Sequence, residues 1–243
     1  MAERLPDFLV LGTQKGGTTT LQQLLIQHPG VCLAPGKEVH YFSKHWDQPT
    51  AWYASHYAGA APQQRCGDIT PFYLFHPQAP QRIHSLLPNA QLIVLLRDPV
   101  ERALSQYFHS VRLRFETLPL EDALAAEEER LSTGKLQHLQ EHSYVSRSRY
   151  LEQLDRYLEL FPGRQLLVLQ SETLFADPTA TWRQIEAFLD LPQAPCPAAA
   201  PKANAGQGEA RAVTAGIRRD LRRQLEATAL GVRERFGFGW DWA

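Results

Sequence analysis

The chain has 243 residues, 44% hydrophobic and 21% charged, with a formal net charge of −1. That length buries a full core without staples, the composition excludes extended disorder, and the charge balance argues against nucleic acid as a partner. Three cysteines without a C-x-x-C pair exclude a zinc site or disulfide framework, and no run approaches the roughly 18 apolar residues of a transmembrane segment.

Residues 8–11 (F-L-V-L) form a short apolar run of the kind found in a buried parallel strand. The chain then turns through Gly12, Thr13, Gln14, Lys15, Gly16 and Gly17 into a helix whose apolar residues Leu21, Leu24 and Leu25 recur at helical spacing as far as His28. A glycine-rich turn between strand and helix presents backbone N–H groups and a positive helix end to an anion, so this stretch reads as a phosphate cradle. A Walker A loop places its lysine after the last glycine, whereas Lys15 precedes Gly16 and Gly17. The ligand expected is a nucleotide held in a manner other than that of the NTPases.

Pro29-Gly30 ends the helix, residues 31–33 read as a second strand, and residues 34–47 form an irregular loop rich in charge and aromatics. Residues 91–96 (Q-L-I-V-L-L) are the clearest buried strand, and Asp98-Pro99 supplies an N-cap followed by proline at the first helical position. In that helix Val100, Leu104, Tyr107, Phe108, Val111 and Phe115 share a face, which leaves Arg102, Ser105, Gln106 and His109 for the surface. Helical periodicity returns over 120–131, 144–161, 178–189 and 213–236, and 165–169 is a further strand. Residues 191–212 are rich in Pro, Ala and Gly and read as a long loop inside one domain spanning 1–243. Alternating strands and helices imply an α/β fold, a mostly parallel central sheet with helices on both faces and ligands at the carboxyl ends of the strands.

Lys15 and Arg97 each follow a strand, and in a parallel sheet both open onto one rim, where they could grip two phosphate groups. Ser105, about two helical turns beyond Arg97, could share an anion with it. The alternative is a local Arg97–Asp98 ion pair with Ser105 an idle hydroxyl.

Together these stretches resemble the PAPS-dependent sulfotransferases, especially the heparan sulfate N- and 3-O-sulfotransferase branch and its bacterial relatives. The resemblance is carried by G-T-Q-K-G-G-T from Gly12, E-V-H-Y-F from Glu38, D-I-T-P-F-Y from Asp68, L-R-D-P-V-E-R-A-L-S from Leu96, L-Q-S-E-T-L from Leu169 and F-L-D-L-P from Phe188. It implies that Lys15 binds the 5′-phosphosulfate and stabilises the leaving oxygen, and that Gly16, Gly17, Thr18 and Thr19 surround that group. Arg97 and Ser105 would hold the 3′-phosphate, and Arg211 in the late loop would close over the cofactor. Glu38 takes the place of the catalytic base, an alcohol needing its proton removed as it attacks sulfur; a solvent pair of Glu38 with Lys37 or Lys44 is the alternative. His40, two residues on, points the same way if the segment is extended, to assist the base, touch the sulfuryl oxygens or simply pack. Where the heparan enzymes carry E-K-T-P this chain has Asp68-Ile69-Thr70-Pro71, so that lysine is absent and Asp68 is left as an acceptor-orienting candidate.

The expected activity is transfer of the sulfuryl group of PAPS to an acceptor hydroxyl, or an amine, leaving adenosine 3′,5′-bisphosphate, with no metal required. A nucleotide kinase or NTPase with an atypical phosphate loop, or a non-catalytic PAPS-binding module, are the alternatives. The acceptor is a glycan, lipid or small-molecule alcohol, the expected location is cytoplasmic, and neither the acceptor nor the oligomeric state can be read from sequence.

Overall fold

A computed structural model describes residues 4–197 and 208–242. Its first elements are β1 (Phe8–Gly12), α1 (Thr18–Leu25), β2 (Val31–Leu33), α2 (Thr50–Ser55), β3 (Arg65–Ile69), α3 (Ala79–Leu86), β4 (Gln91–Leu96) and α4 (Pro99–Arg112). There follow α5 (Leu120–Ala125), α6 (Glu127–Ser132), α7 (Leu136–Glu141), α8 (Tyr150–Leu158), β5 (Leu166–Gln170), α9 (Ser171–Ala176), α10 (Pro178–Phe188) and α11 (Ala215–Phe236). The described residues form two compact units, one of residues 4–96 and 154–197 and the other of residues 97–153 and 208–242.

The first unit holds a five-stranded sheet in the order β2-β3-β1-β4-β5, with every pairing parallel. Burial on both faces explains why β1 and β4 are continuous apolar runs rather than alternating ones. Phe8, Val10, Ile93, Leu95 and Leu169 pack on one face against Leu21, Leu24 and Leu25 of α1 and Trp182 and Ile185 of α10. Each such side chain contributes about 1.5–3 kcal/mol on removal from water. The alternate residues Leu9, Leu11, Leu92, Val94 and Leu96 are equally buried on the other face.

β3 escapes a reading of hydrophobic pattern because its sequence, R-C-G-D-I, is not apolar. Gly67 is there because a side chain would collide with its neighbour in β1, a Cβ at that position lying 2.2 Å from Phe8 Cζ. Asp68 is fully buried and accepts hydrogen bonds from the hydroxyls of Thr70 (2.7 Å), Tyr53 (2.8 Å) and Tyr73 (2.9 Å). Burial pushes its carboxyl up from the ordinary range, while these three hydroxyls and His40 oppose that shift. The strand that precedes Arg97 is therefore the fourth in chain order rather than the third.

In the second unit α4 begins as the sequence indicates, with Asp98 Oδ1 accepting from the N–H groups of Val100 (2.8 Å) and Glu101 (3.0 Å). Its outward face differs from expectation. Arg102 and Gln106 are buried, whereas Val111 and Phe115 are exposed. Arg102 donates to Ser148 Oγ (2.6 Å) and to the carbonyl of Tyr144, so it binds the 143–148 segment instead of water. Val100 and Leu104 pack with Leu221 and Leu225 of α11. The single helix expected over 120–131 is broken into α5 and α6, and 144–161 divides into a 3₁₀ turn and α8. Of the long loop, residues 191–197 have no regular secondary structure, 209–212 form a 3₁₀ turn, and 198–207 lie outside the described residues.

Candidate active site

After Gly12 the chain folds down onto the end of β4. Thr13 N–H donates to the Leu95 carbonyl (2.9 Å) and Gly16 N–H to the Thr13 carbonyl (3.0 Å). A Cβ on Gly16 would lie 2.6 Å from the Leu95 oxygen, so this close approach requires glycine. Lys15 and Gly17 both adopt left-handed backbone, with φ of 70° and 95°, and Gly17 is the N-cap of α1. Glycine offers no side-chain oxygen to cap this helix, so its first backbone donors have no partner from the cap residue. The buried hydroxyls of Thr13 and Thr20 are without hydrogen-bond partners. A helix end rich in donors, a lysine and glycines that draw the backbone close fit the 5′-phosphosulfate of a PAPS molecule.

The loop after β2 supplies the second part of the site. Its backbone is tied to the end of β3 by Glu38 N–H to the Ile69 carbonyl (3.2 Å) and His40 N–H to Thr70 Oγ1 (3.4 Å). Glu38 and His40 are brought together, with His40 Nε2 3.2 Å from Glu38 Oε2. The segment is not extended, however. Both residues hold positive φ, 67° and 58°, and the turn rather than strand alternation makes them neighbours. His40 Nδ1 lies 2.9 Å from Ser43 Oγ; an Nε2–H donated to the carboxylate leaves Nδ1 to accept from that hydroxyl.

Asp68 is fully buried. It holds Thr70, which in turn receives the His40 N–H, so its influence on the site is exerted through the loop. The Ile69 side chain belongs to the core cluster and brings no charge to the site. Most of the aromatic residues that crowd this sequence are also structural: Tyr53, Tyr57, Phe72 and Tyr73 are buried, while Trp46 stays 37% exposed beneath the Arg82 guanidinium.

Lys37 was legible only as a possible solvent partner of Glu38. In the fold its ammonium donates to Thr19 Oγ1 (2.7 Å), approaches Thr18 Oγ1 (3.4 Å) and lies 3.7 Å from Glu38 Oε1. No local pattern announces this, because residues 18 and 37 meet only when the loop after β2 returns to the start of α1. Burial lowers the Lys37 pKa, against the raising influence of Glu38.

In the second unit Arg97 follows β4 directly, and its carbonyl accepts from Tyr150 OH (2.8 Å). Asp98 Oδ2 accepts from Trp242 Nε1 (2.7 Å), so this carboxylate caps α4 and anchors the chain end at once. Ser105 lies half-buried on α4, and Arg211 is exposed in the 3₁₀ turn 209–212. The arginines of α11 do not form one bare patch: Arg218 pairs with Glu101, Arg222 donates to the Trp242 carbonyl and Arg223 pairs with Asp220.

Residues 5–198 match the family described as the sulfotransferase domain, which is most of the chain. The chain belongs to the PAPS-dependent sulfotransferases. Among curated sulfotransferases it is 35% identical to mouse heparan sulfate glucosamine 3-O-sulfotransferase 6 over 77% of this chain and 53% of that protein. It is 29% identical to the membrane-associated sulfotransferase kil1 of Dictyostelium discoideum over 77% of this chain and 56% of that protein. The chain thus spans about half the length of the curated sulfotransferases it matches. A sulfotransferase structure from Alicyclobacillus acidocaldarius superposes with a TM-score of 0.81 at 26% identity, covering 98% of both chains. The sulfotransferase domain of the curacin biosynthetic pathway shares the fold, with a TM-score of 0.58 at 14% identity, over 93% of this chain and 99% of that one. Among the described residues no helix is long and apolar enough to cross a membrane.

Proposed function

We propose that this protein transfers a sulfuryl group from PAPS to an acceptor hydroxyl, with an amine as the alternative acceptor, and that residues 1–243 act as one sulfotransferase domain. The observation that carries the reading is the meeting of Glu38 and His40 beside a phosphate loop whose lysine precedes its glycines. Binding alone does not need a carboxylate at that place. When bound, PAPS supplies the sulfuryl group and departs as adenosine 3′,5′-bisphosphate. Glu38 removes the acceptor proton as the new sulfur–oxygen bond forms. His40, held by Ser43, orients the Glu38 carboxylate. Lys15 and the donors of Gly16, Gly17, Thr18 and Thr19 stabilise charge on the bridging oxygen as the old sulfur–oxygen bond breaks, the electrostatic task that donors and cations perform in phosphoryl transfer. Arg97 and Ser105 hold the 3′-phosphate, and Arg211 closes over the nucleotide.

The acceptor is a glycan, lipid or small-molecule alcohol. Three unpaired cysteines support a reducing, cytoplasmic setting, which fractionation of the producing cells tests. The function itself is tested by incubating labelled PAPS with a panel of such acceptors and by calorimetry with adenosine 3′,5′-bisphosphate and ADP. Transfer of label and preference for the bisphosphate support the reading. Tight, Mg²⁺-dependent ATP binding with no affinity for the bisphosphate would replace it with a kinase or NTPase.

A further inference from the structure

Lys37 occupies an electrostatically awkward place. Its ammonium sits at the N-terminal end of α1, where the helix dipole is positive, and its near contacts there are the neutral Thr18 and Thr19 hydroxyls. Only 24% of the side chain is exposed, so water compensates the charge in part. The Glu38 carboxylate, 3.7 Å away, is its ion-pair partner. A lysine beside the positive end of a helix repels that end even when a carboxylate pairs with it, and an anion lying against both the ammonium and the helix end relieves the repulsion. The neighbouring strand offers no substitute cation, since Ile69, whose carbonyl receives the Glu38 N–H, turns its side chain into the core.

We propose that Lys37 is a second cation of the donor site, which takes the 5′ end of the nucleotide together with the Thr18 and Thr19 hydroxyls and, through its approach to Glu38, keeps the base in register with that end. This rests on the sulfotransferase reading above. Lys15 belongs to the loop before α1 and Lys37 to the loop after β2, so on this proposal the 5′ group takes one ammonium from each segment. The Lys37 side chain reaches residues at the opening of α1 that are separated from it by 18 and 19 positions, which makes it the link between the phosphate cradle and the loop that carries the base.

The test compares two nucleotides by calorimetry. Adenosine 3′,5′-bisphosphate carries the 5′-phosphate and adenosine 3′-monophosphate lacks it. In K37M the affinity for the bisphosphate falls about tenfold or more while that for the monophosphate is unchanged, K37R recovers most of the loss, and the melting temperature stays at the wild-type value. K37Q, which keeps a polar group in the loop, gives the same pattern and serves if K37M folds poorly. With an acceptor in hand, kcat falls as well as donor affinity. Wild-type affinity for the bisphosphate in K37M, or an equal loss for both nucleotides, overturns the role of Lys37 alone. A wild-type protein that binds neither nucleotide overturns the donor reading and the role of Lys37 with it.

Discussion

Glu38 and His40 face one another across 3.2 Å although each holds its backbone in the left-handed region, which few residues other than glycine adopt. Such conformations cost on the order of 1–3 kcal/mol each and persist only where the surroundings impose them. Here the surroundings are the Ile69 carbonyl, which fixes the Glu38 N–H, and Thr70, which fixes the His40 N–H and is itself held by buried Asp68. Glu38 and His40 are thus placed by the end of β3.

Replacing Glu38 by Gln keeps the shape of the side chain and removes its capacity to accept a proton. Turnover should fall roughly 10²–10⁴-fold, the usual worth of a positioned general base, with adenosine 3′,5′-bisphosphate affinity within about twofold of wild type. Steady-state kinetics beside calorimetry decide it. Turnover that survives the substitution shows that the base is elsewhere.

If Arg97 and Ser105 hold the 3′-phosphate, their loss is specific to ligands that carry one. R97A should weaken adenosine 3′,5′-bisphosphate by about 2 kcal/mol or more, in the range of hydrogen bonds to charged groups, and leave AMP binding unchanged. S105A has the same selectivity with a smaller effect. An equal loss for both ligands in titration calorimetry would count against the assignment.

Gly67 packs directly on the Phe8 ring, where an added Cβ falls 2.2–2.7 Å from three ring carbons. G67A should lower stability by about 1–3 kcal/mol, the ordinary cost of overpacking a core. F8L, by vacating the ring, should make the second substitution cheaper, so that the double mutant is more stable than the sum of the singles. Urea unfolding of the four proteins measures this coupling.

Glu116 makes the second unit sensitive to acid. Burial alone would raise its carboxyl, but hydrogen bonds from Arg130, the Leu118 N–H, Tyr144 OH and the Thr117 N–H hold it at about 2, below the ordinary 4.5. A depressed carboxylate adds stability that is complete above its unfolded value and is lost as pH falls through the folded one, here on the order of 3 kcal/mol between about pH 4.5 and pH 2. Denaturation midpoints measured through that interval should drop steeply in the wild type. E116Q should start lower at neutral pH and change less.

Much of this protein was set down in its primary sequence. The apolar runs of β1 and β4, the Asp98-Pro99 start of α4, the parallel α/β fold and the glycine turn between β1 and α1 are all local patterns, and local patterns can be read without coordinates. Glu38 and His40 were legible through their motif, but their approach was not, since it comes from two left-handed residues and not from an extended strand. β3 was hidden because its glycine and aspartate answer to Phe8, Tyr53, Thr70 and Tyr73 rather than to a hydrophobic rhythm. Arg102 reads as a surface charge until the carbonyls of another segment surround it, and Lys37 reads as a solvent lysine until the loop after β2 sets it on Thr19. Local sequence carries periodicity, caps and turns; which buried polar groups satisfy one another is settled only when distant segments are folded together, because each needs a partner that its neighbours in the chain do not provide.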